Sequence, residues 1–128
     1  MRLLLDTHAF LWWLIDSPRL SGSARAAFAD PANDTLVSSV VGWVCATKHR
    51  LGKLPEAERF VAHADEVMRR ASMTPFPLTL GHALRAGSYT VAHADPFDRM
   101  LAAQAELENL TLVTRDPAFK QFPVSVLW

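Results

Sequence analysis

The sequence predicts an α/β fold in which helices cover both faces of a mostly parallel sheet. Short apolar runs that are typical of buried strands alternate along the chain with segments of helical periodicity. The first run, Arg2–Leu5, shows no apolar/polar alternation, which is typical of a strand buried on both faces. Of the 128 residues, 50% are hydrophobic, which suits one compact core, and we expect a single domain over residues 1–128.

The first half of the chain predicts two strand–helix units and an additional helix. Each predicted helix begins after a short polar residue that can accept a hydrogen bond from the first helical turn, and proline or glycine ends the first and third helices. The elements are a strand over Arg2–Leu5, a helix from about Thr7 to the break at Ser17-Pro18, a helix after Ser21 through Ala29, a strand over Thr35–Ser38, and a helix from Ser38 or Ser39 to Gly52, with an apolar stripe of Val40, Val44, Thr47 and Leu51.

Prolines give the main signals for the predicted elements in the second half of the chain. Pro55 suits the first turn of a helix, two prolines suit an extended segment at a sheet edge, and clear periodicity returns from Asp95. The elements are a helix from Pro55 to about Ser72, an extended segment over Met73–Leu78, a helix over Leu80–Ser88, a helix from Asp95 through Glu108, a strand over Leu110–Val113, a short helix after Asp116, and a last strand over Val124–Leu127.

Charge and cysteine content narrow the functional classes. Lys+Arg and Asp+Glu both number 13, so no net charge draws the protein toward nucleic acid or an anionic membrane, and any basic surface must be local. The single cysteine, Cys45, excludes an internal disulfide, and no Cys/His zinc pattern is present. The apolar start, Met1–Ile15, is too short for a membrane span and contains Asp6. We therefore expect a cytoplasmic protein without membrane association.

Three aspartates are placed where a parallel α/β sheet binds ligands. Asp6 follows the first strand, Asp116 follows the strand over Leu110–Val113, and Asp98 lies in the first turn of the preceding helix. Ligands of such sheets lie beyond the carboxyl ends of the strands. Carboxylates gathered there repel by about 4 kcal/mol per pair at ~4 Å and an effective dielectric of roughly 20. An oxygen-only cluster of this kind indicates Mg²⁺ or Mn²⁺.

Helix capping is a strong alternative interpretation of the same aspartates. Asp95-Pro96 and Asp116-Pro117 both have the pattern of an N-cap followed by a proline in the first helical position. Asp6 precedes a predicted helix, and the helix dipole favours an acid at position 98. Spacing alone leaves both interpretations open.

Four sequence blocks resemble the VapC-type subfamily of PIN domains, the ribonuclease toxins of bacterial VapBC toxin–antitoxin pairs. The blocks occur in the family's order across nearly the whole chain, and the run Asp-Pro-Phe-Asp-Arg within the third is fairly specific. They are Leu5–Trp13, Ser38–Leu54 with Gly42-Trp43, His93–Arg99 with Ala102–Ala105, and Val113–Asp116 with Phe119 and Trp128.

The resemblance implies a three-layer α/β/α PIN-like domain and Mg²⁺- or Mn²⁺-dependent cleavage of single-stranded RNA by a metal-activated water. It also implies a homodimer that forms a hetero-oligomer with a VapB-type antitoxin. By position, Asp6 and Asp98 match the family's principal metal ligands and Asp116 its third carboxylate. The candidates for supporting positions around the metal are Thr7, Ser38, Thr114 and, as an alternative to its capping role, Asp95.

One ligand position departs from the family pattern. The family usually has glutamate directly after the tryptophan of the second block, whereas here Val44 follows Trp43. Valine offers no oxygen to a metal, and the neighbouring Cys45 neither shares that helical face nor suits a hard cation. We therefore expect an unchanged fold, weaker metal retention and reduced or lost activity.

Basic and aromatic side chains suggest binding surfaces. Arg99 and Arg115 each follow a site aspartate and are candidates for RNA phosphate contact or for ion pairs with those aspartates. Lys48 begins a basic helix end that is either an RNA contact or a solvated face. His8 and His93 could hydrogen-bond beside the site. The first helix is apolar on all sides, so we expect part of it to contact a partner.

Two other functions compete with an active ribonuclease. A degenerate PIN domain would keep its antitoxin and RNA surfaces but lose turnover, and Val44 is the residue that favours this alternative. A phosphoacceptor receiver domain has similar length and acids at strand ends. The sequence disfavours a receiver because two long helical stretches follow the second strand without a strand between them.

Overall fold

A computed structural model describes all 128 residues, Met1–Trp128, and contains one five-stranded sheet. Every neighbouring pair of strands is parallel, in the order β3-β2-β1-β4-β5. This confirms the predicted parallel α/β class. A receiver-type sheet has the order 2-1-3-4-5, so the observed order excludes the receiver alternative. The strands are β1 (Arg2–Leu5), β2 (Asp34–Ser38), β3 (Met73–Phe76), β4 (Thr111–Val113) and β5 (Ser125–Leu127).

Seven α-helices and two short 3-10 helices surround the sheet. Leu3, Leu4 and Leu5 of the central strand are fully buried, so protein covers both faces of the sheet in a three-layer arrangement. The α-helices are α1 (Thr7–Leu14), α2 (Gly22–Ala29), α3 (Ser39–Arg50), α4 (Glu58–Ala62), α5 (Ala64–Arg70), α6 (Leu80–Ser88) and α7 (Pro96–Leu107), and the 3-10 helices cover Pro55–Ala57 and Pro117–Gln121. None of these helices combines the length and the hydropathy that a membrane span requires.

The single helix predicted from Pro55 to Ser72 is wrong in detail. The structure has a 3-10 turn, then α4, then α5, with a break at His63, whose backbone (φ −137°, ψ 47°) is not helical. The break lets the segment bend around the core: Phe60 of α4 packs edge-on against Phe10 of α1, while α5 packs against the edge strand β3. Such tertiary packing leaves no local signal, because neither proline nor glycine marks the break.

The end of the α3 stripe also differs from the prediction. Val40 and Val44 are buried, but Leu51 is 53% exposed. The helix ends at Arg50, and Gly52 takes a left-handed backbone (φ +74°) that turns the chain away from the core. Leu51 therefore lies outside the stripe that its spacing predicted.

Candidate metal centre and active-site cleft

The centre of the sheet is its topological switch point. From β1 the chain continues through β2 and β3 toward one edge, while β4 and β5 extend the sheet toward the other. Asp6 directly follows β1, Thr114 directly follows β4, and the Asp6 backbone N–H donates to the Val113 carbonyl at 3.1 Å. A crevice at the carboxyl ends of two such strands is where open α/β sheets bind ligands.

Asp6 is held rigidly at this point and is only 4% exposed. One carboxylate oxygen caps α1 by accepting from the Ala9 N–H at 2.7 Å, and the other accepts from the Thr114 hydroxyl at 2.6 Å. Burial raises the pKa of Asp6, and these two hydrogen bonds oppose the rise only in part. The capping interpretation of Asp6 is correct, and it is compatible with ligation because each oxygen keeps a second lone pair.

Thr114 connects two of the candidate loops. Its hydroxyl donates to Asp6 and accepts from the Asp116 N–H at 3.0 Å, and the side chain is buried. The hydroxyl thus fixes the Asp6 carboxylate relative to the backbone that carries Asp116.

We expect Thr114→Val to reduce Mn²⁺ affinity about 10- to 100-fold, the usual cost of losing a group that orients a metal ligand. Valine has nearly the same shape, but it neither donates to Asp6 nor accepts from Asp116. Calorimetric titration with Mn²⁺ measures the effect, and Thr114→Ser is the control that keeps the hydroxyl. Equal affinities for the valine and serine variants would show that Thr114 does not orient the site.

Asp98 lies across the cleft, in the first turn of α7. Its Oδ2 is 2.8 Å from Nε2 of His93, a residue in the loop before α7. Burial raises the pKa of Asp98, the His93 contact lowers it, and the nearby Asp95 and Asp116 carboxylates raise it further. The charge of Asp98 in turn raises the pKa of Asp6, so these two carboxylates influence one another at this end of the sheet.

Asp95 and Asp116 both act as N-caps. Asp95 Oδ1 accepts from the backbone N–H groups of Phe97 and Asp98 at 2.9 and 3.1 Å, and Asp116 Oδ1 accepts from the Ala118 N–H at 2.9 Å. Both residues are exposed. In each, Oδ2 has no hydrogen bond within the protein, so capping leaves one oxygen available at the cleft.

The three aspartates share one cleft of ≈ 520 Å³. No set of three acidic, histidine or cysteine side chains is close enough to form a closed metal cage. The donor set nevertheless fits Mg²⁺ or Mn²⁺, since these ions bind hard oxygens through one or two carboxylates and retain several waters. Buried Asp6 and half-buried Asp98, whose pKa values are both raised, are the strongest candidates to hold such an ion.

Val44 forms part of the apolar wall of the same cleft and is 9% exposed. The position therefore faces the carboxylates, and a glutamate there would reach toward them. Thr7 also lines the cleft. Ser38 lies deeper: its hydroxyl caps α3 by accepting from the Val40 N–H at 3.0 Å, and it lines a separate, smaller cavity.

The ion-pair interpretation of Arg99 is wrong. Its guanidinium donates to the backbone carbonyls of Ala86, Tyr89, Val91 and His93, which occupies four of its five N–H groups, and it pairs with no carboxylate. Arg99 therefore holds the loop that presents His93 to Asp98, and little of the side chain remains for phosphate. Sequence adjacency misled here because α7 turns position 99 away from position 98.

Arg115 and Lys48 line adjoining parts of the cleft. The Arg115 guanidinium lies over the Trp12 ring, 5.7 Å from its centroid, and lines an opening of ≈ 460 Å³ beside the main cleft. Lys48 lines the main cleft, one turn along α3 from Val44. Neither forms an ion pair with a protein carboxylate.

Two contacts at the cleft are not predicted by the sequence. His93 pairs directly with Asp98. The ring of Trp43 stacks on Phe97, and both line the cleft. Both contacts cross between elements, so no spacing rule within one helix or loop predicts them.

The raised carboxyl pKa values predict how pH affects stability without metal. A group whose pKa is higher in the folded state stabilises the fold fully below its unfolded value, here 3.8, and that contribution is lost as pH rises through the folded value. We therefore compare Asp6→Asn with the unmodified protein, both in chelator. The melting temperature of the variant minus that of the unmodified protein should increase from pH 4 to pH 8. Thermal unfolding of both proteins across this range measures it, and a constant difference would contradict the pKa assignment.

Comparisons with known proteins agree with this architecture. The PIN-domain family profile matches residues 3–124. Over 70 residues the chain is 37% identical to Ribonuclease VapC16 of Mycobacterium tuberculosis, an alignment covering 52% of this chain and 48% of that protein. The matched region is thus about half the length of this curated relative.

Solved structures share the whole fold at low sequence identity. VapBC2 from Rickettsia felis, bound to a promoter DNA fragment, superposes with a TM-score of 0.68 at 17% identity, covering 100% of this chain and 99% of that chain. A toxin–antitoxin complex from Klebsiella pneumoniae (19% identity) and FitAcB from Neisseria gonorrhoeae (20%) both give 0.64, each covering 98% of this chain and 96% of the other. Because these similarities cover nearly the whole chain, they support the three-layer fold over its full length.

Proposed function

The chain belongs to the PIN-domain family, and on that premise we propose that it is the toxin of a VapBC-type pair, a Mg²⁺- or Mn²⁺-dependent endoribonuclease of single-stranded RNA. We take residues 1–128 as a single PIN domain. The 37% identity to a protein named a ribonuclease supports the activity. The fold shared with toxin–antitoxin complexes supports the pairing.

The shared cleft of Asp6, Asp98 and Asp116 carries the proposal. Burial of Asp6 and partial burial of Asp98 raise their pKa values and make the carboxylates costly to ionise, and a divalent cation would offset that cost. The two hydrogen bonds that hold Asp6 in place despite that cost support the proposal of a cation site.

A bound divalent cation would lower the pKa of a water molecule and offset negative charge on the phosphoryl oxygens of the RNA. Asp6 and Asp98 would hold the ion, and the Thr114 hydroxyl fixes the Asp6 carboxylate. The Oδ2 of Asp116, which has no hydrogen bond within the protein, would be able to accept a hydrogen bond from a water in the cleft. Arg115 and Lys48 orient the RNA backbone through its phosphates.

The proposed partners follow from the same assignment. We assign the antitoxin to a groove of ≈ 380 Å³ beside α1, which is lined by Trp13, Leu14 and Val67 together with charged side chains. An aromatic anchor within a polar rim is a common composition for a protein interface. We further propose a homodimer that forms a hetero-oligomer with the antitoxin in the cytoplasm.

A degenerate PIN domain that binds RNA and antitoxin without turnover is the second candidate. Val44 supports it, because an apolar side chain lines the cleft where the resemblance calls for a carboxylate. Three other carboxylates remain, which is enough for one ion with waters. We therefore favour an impaired enzyme over an inactive one.

The proposed function is tested by incubating the purified chain with single-stranded and duplex RNA in Mg²⁺, in Mn²⁺ and in chelator. We expect slow cleavage of the single strand with either metal and none in chelator. Binding of the single strand without any cleavage, at high enzyme concentration and in both metals, would favour the degenerate module.

A further inference from the structure

A large aromatic surface at the mouth of the cleft has no role in holding a metal. Trp43 of α3 is 57% exposed, although it stacks on Phe97 of α7 with 5.1 Å between ring centroids and 29° between ring planes. A single apolar side chain exposed on a protein surface is common and needs no explanation by itself. This one is held in a defined orientation by a second ring, which indicates a surface prepared for contact.

The stack lies directly beside the carboxylates. Trp43 precedes Val44 in α3, and Phe97 precedes Asp98 in α7, and all four residues line the same cleft. The stacked pair therefore spans α3 and α7 across one wall. A nucleotide whose phosphate lay at the aspartates would have its base or its neighbour's base within reach of the indole.

Positive charge continues the surface on both sides of the aspartates. Lys48 lines the cleft one helical turn beyond Val44 and pairs with no carboxylate. On the other side, Arg19 and Arg115 line the adjoining opening, which shares Asp6 and Asp116 with the main cleft. An aromatic face, a carboxylate centre and cationic groups thus follow one another along a continuous groove.

We propose that Trp43, backed by Phe97, is a stacking platform for one unpaired base of the RNA next to the scissile phosphate. This proposal rests on the proposed function in one respect, which is that the ligand is RNA. Proteins that bind single strands combine a basic groove with aromatic side chains on which bases stack. A base in a duplex has no free face, so the platform selects unpaired RNA. Phe97 fixes the indole orientation before binding, which lowers the entropy cost of stacking.

Affinity without metal tests the platform independently of cleavage. Fluorescence anisotropy in chelator, with short labelled oligo(A) and oligo(U), compares the unmodified chain with Trp43→Phe and Trp43→Leu. Leucine keeps an apolar side chain but has no π face. We expect the leucine variant to lose about 5- to 100-fold in affinity, the range for removing one stacked base, and the phenylalanine variant to retain most of it. Leu84→Ala, at an exposed position on α6, is the control expected to bind normally.

An abasic substitution moved along the oligonucleotide identifies the stacked position. When the abasic site is at the stacked nucleotide, the RNA should bind the unmodified chain and Trp43→Leu equally. The missing base has already removed the contact that the leucine substitution would otherwise remove. Equal affinity of the unmodified chain and Trp43→Leu for every intact oligonucleotide would overturn the platform and leave Trp43 as a contact for a protein partner. The binding assay contains no metal, so its result is independent of cleavage. If Trp43→Leu loses RNA affinity while the unmodified chain shows no metal-dependent cleavage, the nuclease function is refuted and the platform is upheld.

Discussion

Asp6→Asn is expected to reduce metal-dependent RNA cleavage by more than ~100-fold, since a direct ligand matters more than the surrounding groups whose loss costs about 10- to 100-fold. Asparagine keeps the shape of the side chain and its cap on the Ala9 N–H. The buried charge that attracts the cation is lost. Initial rates on single-stranded RNA in Mn²⁺ measure the effect.

The same substitution separates loss of function from loss of fold. Burial raises the pKa of Asp6, so removing its charge should raise the melting temperature of the metal-free protein at neutral pH. Added Mn²⁺ should then raise the melting temperature of the unmodified chain but have little effect on the asparagine variant. An asparagine variant that cleaves at the unmodified rate would place the metal elsewhere.

Val44→Glu is expected to increase cleavage about 10- to 100-fold in Mg²⁺ or Mn²⁺, the inverse of the usual loss for a group supporting a metal site. The position is buried against the cleft, so the new carboxylate would face Asp6 and Asp98. Lys48, four residues later in α3, would offset part of its charge, because Glu and Lys at this spacing attract one another. The fold should remain unchanged by circular dichroism.

A neutral variant isolates the role of charge at this position. Val44→Gln has the length and polarity of the glutamate variant but cannot supply a carboxylate. We expect it to cleave no faster than the unmodified chain and to bind Mn²⁺ no more tightly. If Val44→Glu binds Mn²⁺ but remains as inactive as Val44→Gln, the missing acid is not what limits activity.

The parallel sheet and most helix boundaries could be predicted because local chemistry determines them. Asp6, Ser21, Ser38 and Asp95 each cap the helix that follows, and the apolar run Arg2–Leu5 forms the central strand. Such signals are contained within a few consecutive residues. The break at His63 has no such signal, because packing of Phe60 and α5 against distant elements determines it.

The candidate site also has some features that the local sequence predicts and others that depend on the fold. The placement of Asp6 and Asp116 beyond neighbouring strands follows from the rule for parallel sheets, so it could be predicted. The partners of Asp98 and Arg99 could not be predicted. One turn of α7 directs Asp98 to His93 and Arg99 to one carbonyl of α6 and three of the loop that follows it. Adjacent helical residues have different surroundings, and only the fold reveals them.

The most direct test of a carboxylate-held metal site is a parallel RNA cleavage assay of the unmodified chain, Asp6→Asn and Val44→Glu, prepared identically, in Mn²⁺ and in chelator. The asparagine variant reveals any contaminating nuclease. We predict slow cleavage by the unmodified chain, faster cleavage by Val44→Glu, and none by Asp6→Asn or in chelator. Equal cleavage by all three proteins, or cleavage that persists in chelator, would contradict the assignment of Asp6 and its neighbours as the catalytic centre.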